Sequence, residues 1–196
     1  MNPWDTAELK ALVEGLVFTA DAPVKAERLA EFLEVERSRV VDVLRELEEE
    51  HRQRRGGFVL AEVAEGFQFR TRPEHAEWQR RLGRGRPFRF SRAAMETLAI
   101  VAYRQPITRA EIEYLRGVDS GGVAKTLLDK RLVRILGKKD VPGRPLMYGT
   151  TREFLALFGL RDLKGLPTLK EFSELDLNAL NADSTPVAAG EVPSLD

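Results

Sequence analysis

Two histidines are the residues whose type most readily supports chemistry. His51 and His75 each stand among charged residues, and neither has a second histidine or a carboxylate at a recognised metal-ligand spacing. The chain contains no cysteine, which excludes thiolate ligands, a cysteine nucleophile and disulfides. We therefore expect both histidines to be solvated surface side chains, and we expect no metal and no cofactor.

The remaining motifs that could carry chemistry are better explained by structure. The acidic residues between positions 46 and 50 form a run that is typical of a solvated helix face. Gly121 and Gly122 are adjacent, but the Lys-Ser/Thr pair of a phosphate-binding loop does not follow them. No serine-hydrolase, zinc-protease or dinucleotide-binding motif occurs in the chain. The sequence thus predicts a protein that is not an enzyme.

An internal repeat organises the elements around these residues. Two stretches of the chain have apolar residues in the same register, although few residues are identical. The corresponding positions include Pro23 and Pro106, Phe32 and Leu115, Val35 and Val118, and Leu44 and Leu127, always 83 residues apart. Two copies are too few for a solenoid, so the repeat predicts two tandem domains of one fold.

Each copy predicts three helices followed by a β-hairpin, which is the winged helix-turn-helix. In the first copy the outer helices are expected near 6–18 and 37–50, and the strands near 58–63 and 67–70. In the second copy the outer helices are expected near 92–103 and 120–130, and the strands near 132–136 and 146–148. The middle helix of this copy is expected to begin with a capping box from Thr108 to Glu111. Ser120 is the expected N-cap of the third helix. A final helix near 152–158 is expected to follow a capping box at 150–153. The expected fold class is mainly helical α+β with two tandem winged helix-turn-helix domains.

The predicted domains carry opposite charge. Residues 1–72 form the first winged-helix domain, with 11 basic and 15 acidic side chains. Residues 73–87 form a connecting helix and linker with 4 basic and 2 acidic side chains, and residues 88–160 form the second domain with 13 basic and 7 acidic ones. Residues 161–196 form a C-terminal extension that is expected to be largely disordered after about 178. Opposite charges of this kind favour self-association or two different partners.

The two predicted third helices are poorly suited to reading DNA. The first offers Arg37, Arg39 and Arg45 against six acidic residues, and the second offers only Lys125 and Lys130 against Asp129. Because a DNA-binding helix must neutralise phosphates, protein binding is favoured over sequence-specific DNA binding. The alternative is a winged-helix DNA-binding transcriptional regulator that uses the second wing, where Lys138 and Lys139 are possible phosphate contacts.

Three segments of the second half resemble the signature of the segregation and condensation protein B (ScpB) family. They are AIVAYRQPITRAEI at 99–112, RGVDS at 116–120 and PGRPLMYGTT at 142–151, and Phe154-Leu155, Phe158-Gly159-Leu160 and Leu166-Pro167 follow in the same order. The resemblance covers roughly residues 8 to 175. It is looser in the first half of the chain, and the tail after Leu177 lies outside it.

The resemblance implies a function that periodicity alone does not reveal. It implies a non-catalytic subunit of the bacterial SMC–kleisin condensin complex, which binds the kleisin subunit ScpA as a homodimer and reaches the SMC ATPase through that kleisin. The subunit would support chromosome condensation and segregation in the cell cycle. It would be cytoplasmic and nucleoid-associated, with weak or indirect DNA contact and no membrane contact.

Candidate contact residues are suggested by the motifs and by the number of apolar residues on the first helix, which exceeds what a small domain usually buries. The predicted kleisin-contacting residues of the second domain are Tyr103, Arg104, Arg116, Arg144 and Tyr148. Dimerisation is expected mainly through the first domain, and the candidate residues on its first helix are Leu9, Leu12, Leu16 and Phe18. Structural alternatives remain open: Tyr148 as wing core, Arg116 as the partner of a local carboxylate, and Arg144 folded back onto Asp140 or Glu153.

Overall fold

The computed structural model describes residues 4–82 and 90–168, which contain eight α-helices and five strands. The first winged helix consists of α1 (Thr6–Phe18), α2 (Ala26–Leu33), α3 (Arg37–Gln53), β1 (Phe58–Val63) and β2 (Gly66–Thr71). A 3₁₀ turn at Pro73–His75 then leads into α4 (Ala76–Leu82). The described residues up to Leu163 form one compact unit that includes both winged helices.

Local capping interactions fix the start of the first domain. The Asp5 carboxylate accepts a hydrogen bond from the backbone N–H of Glu8, and the Glu8 carboxylate accepts one from the backbone N–H of Asp5. This reciprocal pair satisfies two backbone donors that the first turn of α1 leaves open. The apolar face of α1 then packs on α3 and β2, around a core that includes Leu9, Val13, Leu29, Val40 and Leu44.

The second winged helix repeats this arrangement with an additional short strand. It consists of α5 (Arg92–Arg104), β3 (Ile107–Thr108), α6 (Arg109–Arg116), α7 (Gly121–Asp129), β4 (Val133–Lys138), β5 (Leu146–Thr150) and α8 (Arg152–Phe158). Its antiparallel sheet has the order β3-β5-β4, with Ile107 opposite Tyr148. The Gln105 side chain accepts a hydrogen bond from the backbone N–H of Thr150 at 2.8 Å, which connects the end of α5 to the sheet.

The expected fold class is confirmed, and the differences from the sequence expectations are local. Thr151 rather than Thr150 caps α8, and Ser120 occupies the N-cap position of α7 without a capping hydrogen bond from its side chain. The strand β3 was not expected, because two residues are too few to produce a periodic pattern. The linker at 83–87 and the tail after 178 lie outside the described residues, and the predicted domain boundaries stay predictions. None of the described helices is long and apolar enough to span a bilayer.

Candidate functional site

The second domain has an exposed apolar surface around α6. Tyr114 is 87% exposed, and Tyr103, Leu115 and Val118 are also exposed. A shallow concavity of about 280 Å³ lies beside them and is lined by Arg104, Pro106, Ile107, Glu111, Tyr114 and Leu115. We call Tyr103, Arg104, Tyr114, Leu115 and Val118 the α6 surface. Aromatic residues beside an exposed arginine are typical of protein-binding surfaces.

Capping and an ion pair hold α6 in place beneath this surface. The Glu111 carboxylate accepts hydrogen bonds from the backbone N–H and the hydroxyl of Thr108, at 2.8 and 2.7 Å, which completes the expected capping box. The Lys139 ammonium donates a hydrogen bond to the same carboxylate at 2.6 Å. Together these donors, with Lys139 the strongest, lower the pKa of Glu111 to about 2. Lys139 is therefore paired with a residue of α6, which makes it less available to a phosphate.

Two predicted partner contacts do not belong to this surface. The side chain of Arg116 is only 7% exposed, donates a hydrogen bond to the Ser120 hydroxyl at 2.8 Å and lies 3.5 Å from a carboxylate oxygen of Glu96. It therefore braces α5, α6 and α7 against one another. Tyr148 is buried on β5 between its neighbours in the sheet. These contacts favour the structural alternatives for both residues, because each side chain is largely buried within the second domain.

Arg144 lies at the tip of the second wing. Its backbone has a φ of 40°, and its N–H donates a hydrogen bond to the Val141 carbonyl at 2.9 Å. Its guanidinium has no hydrogen bond or ion pair with any residue that the structure describes, so it does not fold back onto Asp140 or Glu153. Lys138 is exposed on the neighbouring strand. Arg144 and Lys138 stay predicted contacts.

The first domain has a row of aromatic side chains on one face of its hairpin. Phe69 contacts Phe18 and Phe58, with ring centroids 6.1 and 5.6 Å apart. Phe18 is 67% exposed and Phe58 is partly exposed. We call Phe18, Phe58 and Phe69 the aromatic row. Of the predicted dimer residues on α1, Phe18 is on this surface, Leu12 and Leu16 are half-buried, and Leu9 is fully buried in the core of its own domain, which disfavours a direct dimer contact.

His51 lies beneath the aromatic row, so the expectation that it is a solvated side chain is wrong. It is buried, its ring contacts Phe58 and Phe69, and its Nε2 lies 2.8 Å from a carboxylate oxygen of Glu14. His75 is exposed, as expected. No group of three metal-ligating side chains is found within residues 4–82 and 90–168. His51 is therefore part of the packing of α1 and α3 against the hairpin.

Intramolecular contacts occupy the positions that would read DNA. In α3, Arg37 pairs with Glu27, Arg45 pairs with Glu48 and Glu62, and Arg39 donates to the Trp4 carbonyl. At the N-terminus of α7, Glu113 accepts a hydrogen bond from the Ser120 N–H, and Arg109 bridges Glu113 to Asp119. Carboxylates at this helix end occupy the place that favours a phosphate. Neither third helix therefore offers a free basic face.

Several exposed residues were not identified from the sequence. They are Tyr114 and Val118 on or beside α6, and Trp78 and Leu82 on α4. The internal repeat could have indicated one such surface position. It pairs Phe32 with Leu115, and both are exposed on the second helix of their domain. An apolar residue that recurs at the same place in both copies can thus mark a surface as well as a core.

Comparison with known proteins gives consistent matches. The model of the family "Segregation and condensation complex subunit ScpB" matches residues 11–169. A segregation and condensation protein B of Syntrophotalea carbinolica is 66% identical over 171 residues, which cover 87% of each chain. One from Myxococcus xanthus is 47% identical over 195 residues, covering 97% of this chain and 59% of the relative.

Solved structures of similar proteins are also found. ScpB of Mycobacterium tuberculosis is 37% identical over 80% of this chain and 98% of its own, with a TM-score of 0.40. A dimer of an ScpB N-terminal domain complexed with an ScpA peptide is 32% identical over 38% of this chain and 93% of its own, with a TM-score of 0.36.

Proposed function

Because the chain belongs to the family of ScpB, the segregation and condensation complex subunit, we propose that it is a non-catalytic subunit of a bacterial SMC–kleisin complex. In this proposal the chain acts as a homodimer, binds the kleisin ScpA directly and reaches the SMC ATPase through it. The observation that carries the proposal is the α6 surface. It places exposed aromatic and aliphatic side chains beside an arginine in the basic second domain.

The chemistry of the α6 surface favours a partner segment with apolar anchors and carboxylates. Tyr114 and Leu115 supply large apolar area that water solvates poorly, and burying such area drives association. The guanidinium of Arg104 has no hydrogen bond or ion pair within the described ranges, so it is available to a carboxylate or a carbonyl of a partner. Arg144, on the wing of the same domain, is a second candidate for such a contact.

The first domain is proposed to provide the dimer interface. Phe18 is exposed at the end of α1, and the half-buried Leu12 and Leu16 lie on the same helix. The aromatic row adds Phe58 to this apolar area.

Kleisin binding is tested by isothermal titration of the full chain with the purified kleisin subunit of the same organism. The double substitution Tyr114→Ser and Leu115→Ser is expected to weaken the affinity at least about 30-fold, the range for losing a binding hot spot. Leu157→Ser is the matched control, because Leu157 on α8 and Leu115 are each 50% exposed. Equal affinities for the parent and the double variant would reject the α6 surface as the kleisin site.

A pulldown from the native cell extract tests the complex itself. The full chain is expected to recover a kleisin together with an SMC protein. Recovery of neither, combined with tight binding to one defined DNA sequence, would favour the transcriptional-regulator alternative. The paired arginines of α3 and the carboxylates at the N-terminus of α7 argue against that alternative, because they leave little free positive charge for phosphates.

A further inference from the structure

The strand β4 forms an open edge of the sheet in the second domain. The strand order is β3-β5-β4, so one side of β4 pairs with β5 and the other side has no partner strand within the described residues. The exposed side chains of this strand are Arg134, Ile135, Leu136 and Lys138. An exposed edge strand leaves backbone donors and acceptors free to pair with another chain. We call this side of β4 the β4 edge.

The hydrogen bonds of β5 show which backbone groups of β4 point outwards. The N–H of Thr150 donates to the Gln105 side chain and so points away from β4. Directions alternate along a strand, so the backbone of Tyr148, two residues earlier, points the same way. The β4 residues opposite these two positions are Val133 and Ile135. Because opposite residues of an antiparallel pair either bond each other or both point away, Val133 and Ile135 direct their N–H and C=O groups outwards.

The other end of β4 gives the same result for Lys138. The N–H of Lys139 donates to the Pro145 carbonyl at 2.8 Å, so the backbone groups of Lys138, immediately before it, point outwards. Val133, Ile135 and Lys138 make no backbone hydrogen bond outside the sheet within residues 4–82 and 90–168. The β4 edge therefore offers the backbone groups of three residues to a further strand.

Each face of the β4 edge presents one apolar and one basic side chain. Ile135 and Lys138 are paired with β5 residues two positions apart, because the register shifts by one residue between them, so they share one face. Arg134 lies opposite Gly149 on the other face. Leu136 covers this glycine from the same face, since a Cβ on Gly149 would lie 2.7 Å from the Leu136 Cδ1 atom. A strand added here would thus meet an apolar and a cationic side chain on each face.

This pattern favours one kind of occupant. Within the part of the chain that the structure describes, Lys138 has no hydrogen bond or ion pair, and Arg134 donates from Nε to the Thr150 carbonyl at 3.3 Å. Two β4 edges from two copies would bring like charges together, which is unfavourable. A nucleic-acid backbone would match the cations but not Ile135 and Leu136. An extended peptide with apolar and acidic side chains matches both.

The β4 edge is also continuous with the α6 surface. Ile107, Tyr148 and Ile135 lie side by side across β3, β5 and β4. Neighbouring strands are about 4.8 Å apart, so Ile135 is about 10 Å from Ile107, which lines the concavity beside the α6 surface. Lys139, the residue after β4, pairs with Glu111 of α6 at 2.6 Å. One partner segment is therefore able to reach both places.

We propose that the β4 edge binds an extended segment of the kleisin as an added strand of the second-domain sheet. This inference rests on the kleisin binding proposed above and specifies how a part of the kleisin is held. The segment places apolar side chains opposite Ile135 and Leu136 and carboxylates opposite Arg134 and Lys138. Its backbone pairs with the outward-pointing groups of Val133, Ile135 and Lys138.

The substitution Lys138→Pro tests the backbone contact, because proline removes the outward N–H and is tolerated on an edge strand. Lys138→Ala is the matched control, since it removes the ammonium and keeps the N–H. In isothermal titration of the full chain with the kleisin of the same organism, Lys138→Pro is expected to weaken the affinity about 10-fold or more relative to Lys138→Ala. The melting temperatures of the two variants show whether the proline disturbs the fold.

Hydrogen exchange of the parent chain, followed by NMR for each amide, does not depend on a variant. The amides of Ile135 and Lys138 are expected to exchange at least about 10-fold more slowly when the kleisin is bound, because the added strand accepts their hydrogen bonds. The Lys139 amide is the internal reference. It already donates to Pro145, so its exchange is expected to change less.

The possible outcomes separate the inference from the function on which it rests. A parent chain that does not bind the kleisin would reject the proposed function, and the added strand with it. Kleisin binding that leaves the Ile135 and Lys138 amides unprotected would retain the function and overturn the added strand. Equal affinities of folded Lys138→Pro and Lys138→Ala would also overturn it. Protection of the two amides by a random-sequence DNA duplex, but not by the kleisin, would overturn it in favour of a nucleic-acid contact.

Discussion

The guanidinium of Arg152 donates hydrogen bonds from Nε and Nη2 to the backbone carbonyl oxygen of Ala64, at 3.3 and 3.0 Å. Ala64 and Glu65 form the turn of the first hairpin, with φ values of 49° and 58° that residues other than glycine rarely adopt. Their N–H groups donate to the carbonyls of Leu160 and Arg161, at 2.8 and 3.0 Å. Contacts with the second domain thus hold a strained turn of the first.

Removing this contact should weaken the coupling between the two winged helices. Arg152→Ala combined with Arg70→Ala, which removes the bond from Arg70 to the Ala156 carbonyl, is expected to lower the free energy of unfolding by about 1–3 kcal/mol. Urea denaturation is the measurement, and the single transition of the parent is expected to separate into two. Lys125→Ala, on an exposed helix position, is the control and should change little. A single, unshifted transition in the double variant would contradict the coupling.

Arg144 allows kleisin binding to be separated from stability. At a φ of 40°, alanine has the same backbone strain as arginine, whereas glycine has none. Both Arg144→Ala and Arg144→Gly are expected to weaken kleisin affinity by about 1–3 kcal/mol, the range for a charge-assisted hydrogen bond. The melting temperature should stay constant for the alanine variant and should not fall for the glycine variant. A binding loss that follows a loss of stability would identify Arg144 as structural.

The lowered pKa of Glu111 predicts that the stability of the fold depends on pH in a defined range. Its pKa is lowered from 4.5 to about 2 in the folded chain, so its contribution to stability is complete above pH 4.5 and is lost as the pH falls towards 2. The contribution is expected to be under about 1 kcal/mol, because Glu111 and Lys139 are each more than two-fifths exposed. Urea denaturation of the parent and of Glu111→Gln at pH 6 and pH 3 measures it. Their difference should shrink at the lower pH, and an unchanged difference would contradict the assignment.

Binding to DNA is expected to be weak and independent of sequence. With Lys139 paired to Glu111, Lys138 and Arg144 are the two remaining cations near the wing tip, so the slope of log K against log salt should be shallow, about −0.9 per contact. Lys138→Ala should reduce the slope by about one contact, whereas Lys139→Ala should change it less. Fluorescence anisotropy with a random-sequence duplex measures both slopes. A nanomolar complex with one defined sequence at physiological salt would contradict this prediction.

The sequence by itself determined the elements whose signals are local. The bounds of α1, α8 and β1 agree with the periodic patterns, because each has a complete apolar face or a clear turn at its end. The capping box of Thr108 and Glu111 formed as expected, since both partners belong to one helical turn. The order of these elements was sufficient to predict the winged helix-turn-helix fold, and the motif segments were sufficient to predict the family.

Only the tertiary structure decided which side chains are accessible. Arg116 and His51 are of residue types that usually lie on the surface. Yet Glu96 and Ser120 pair with Arg116, and Phe58 and Phe69 cover His51. Their partners lie on other helices and strands. The periodicity of a sequence carries no information about which of these elements pack together. For the same reason, the sequence did not reveal that Tyr114 and Trp78 are exposed. A pattern identifies an apolar residue, but its exposure depends on whether another part of the fold arrives to cover it.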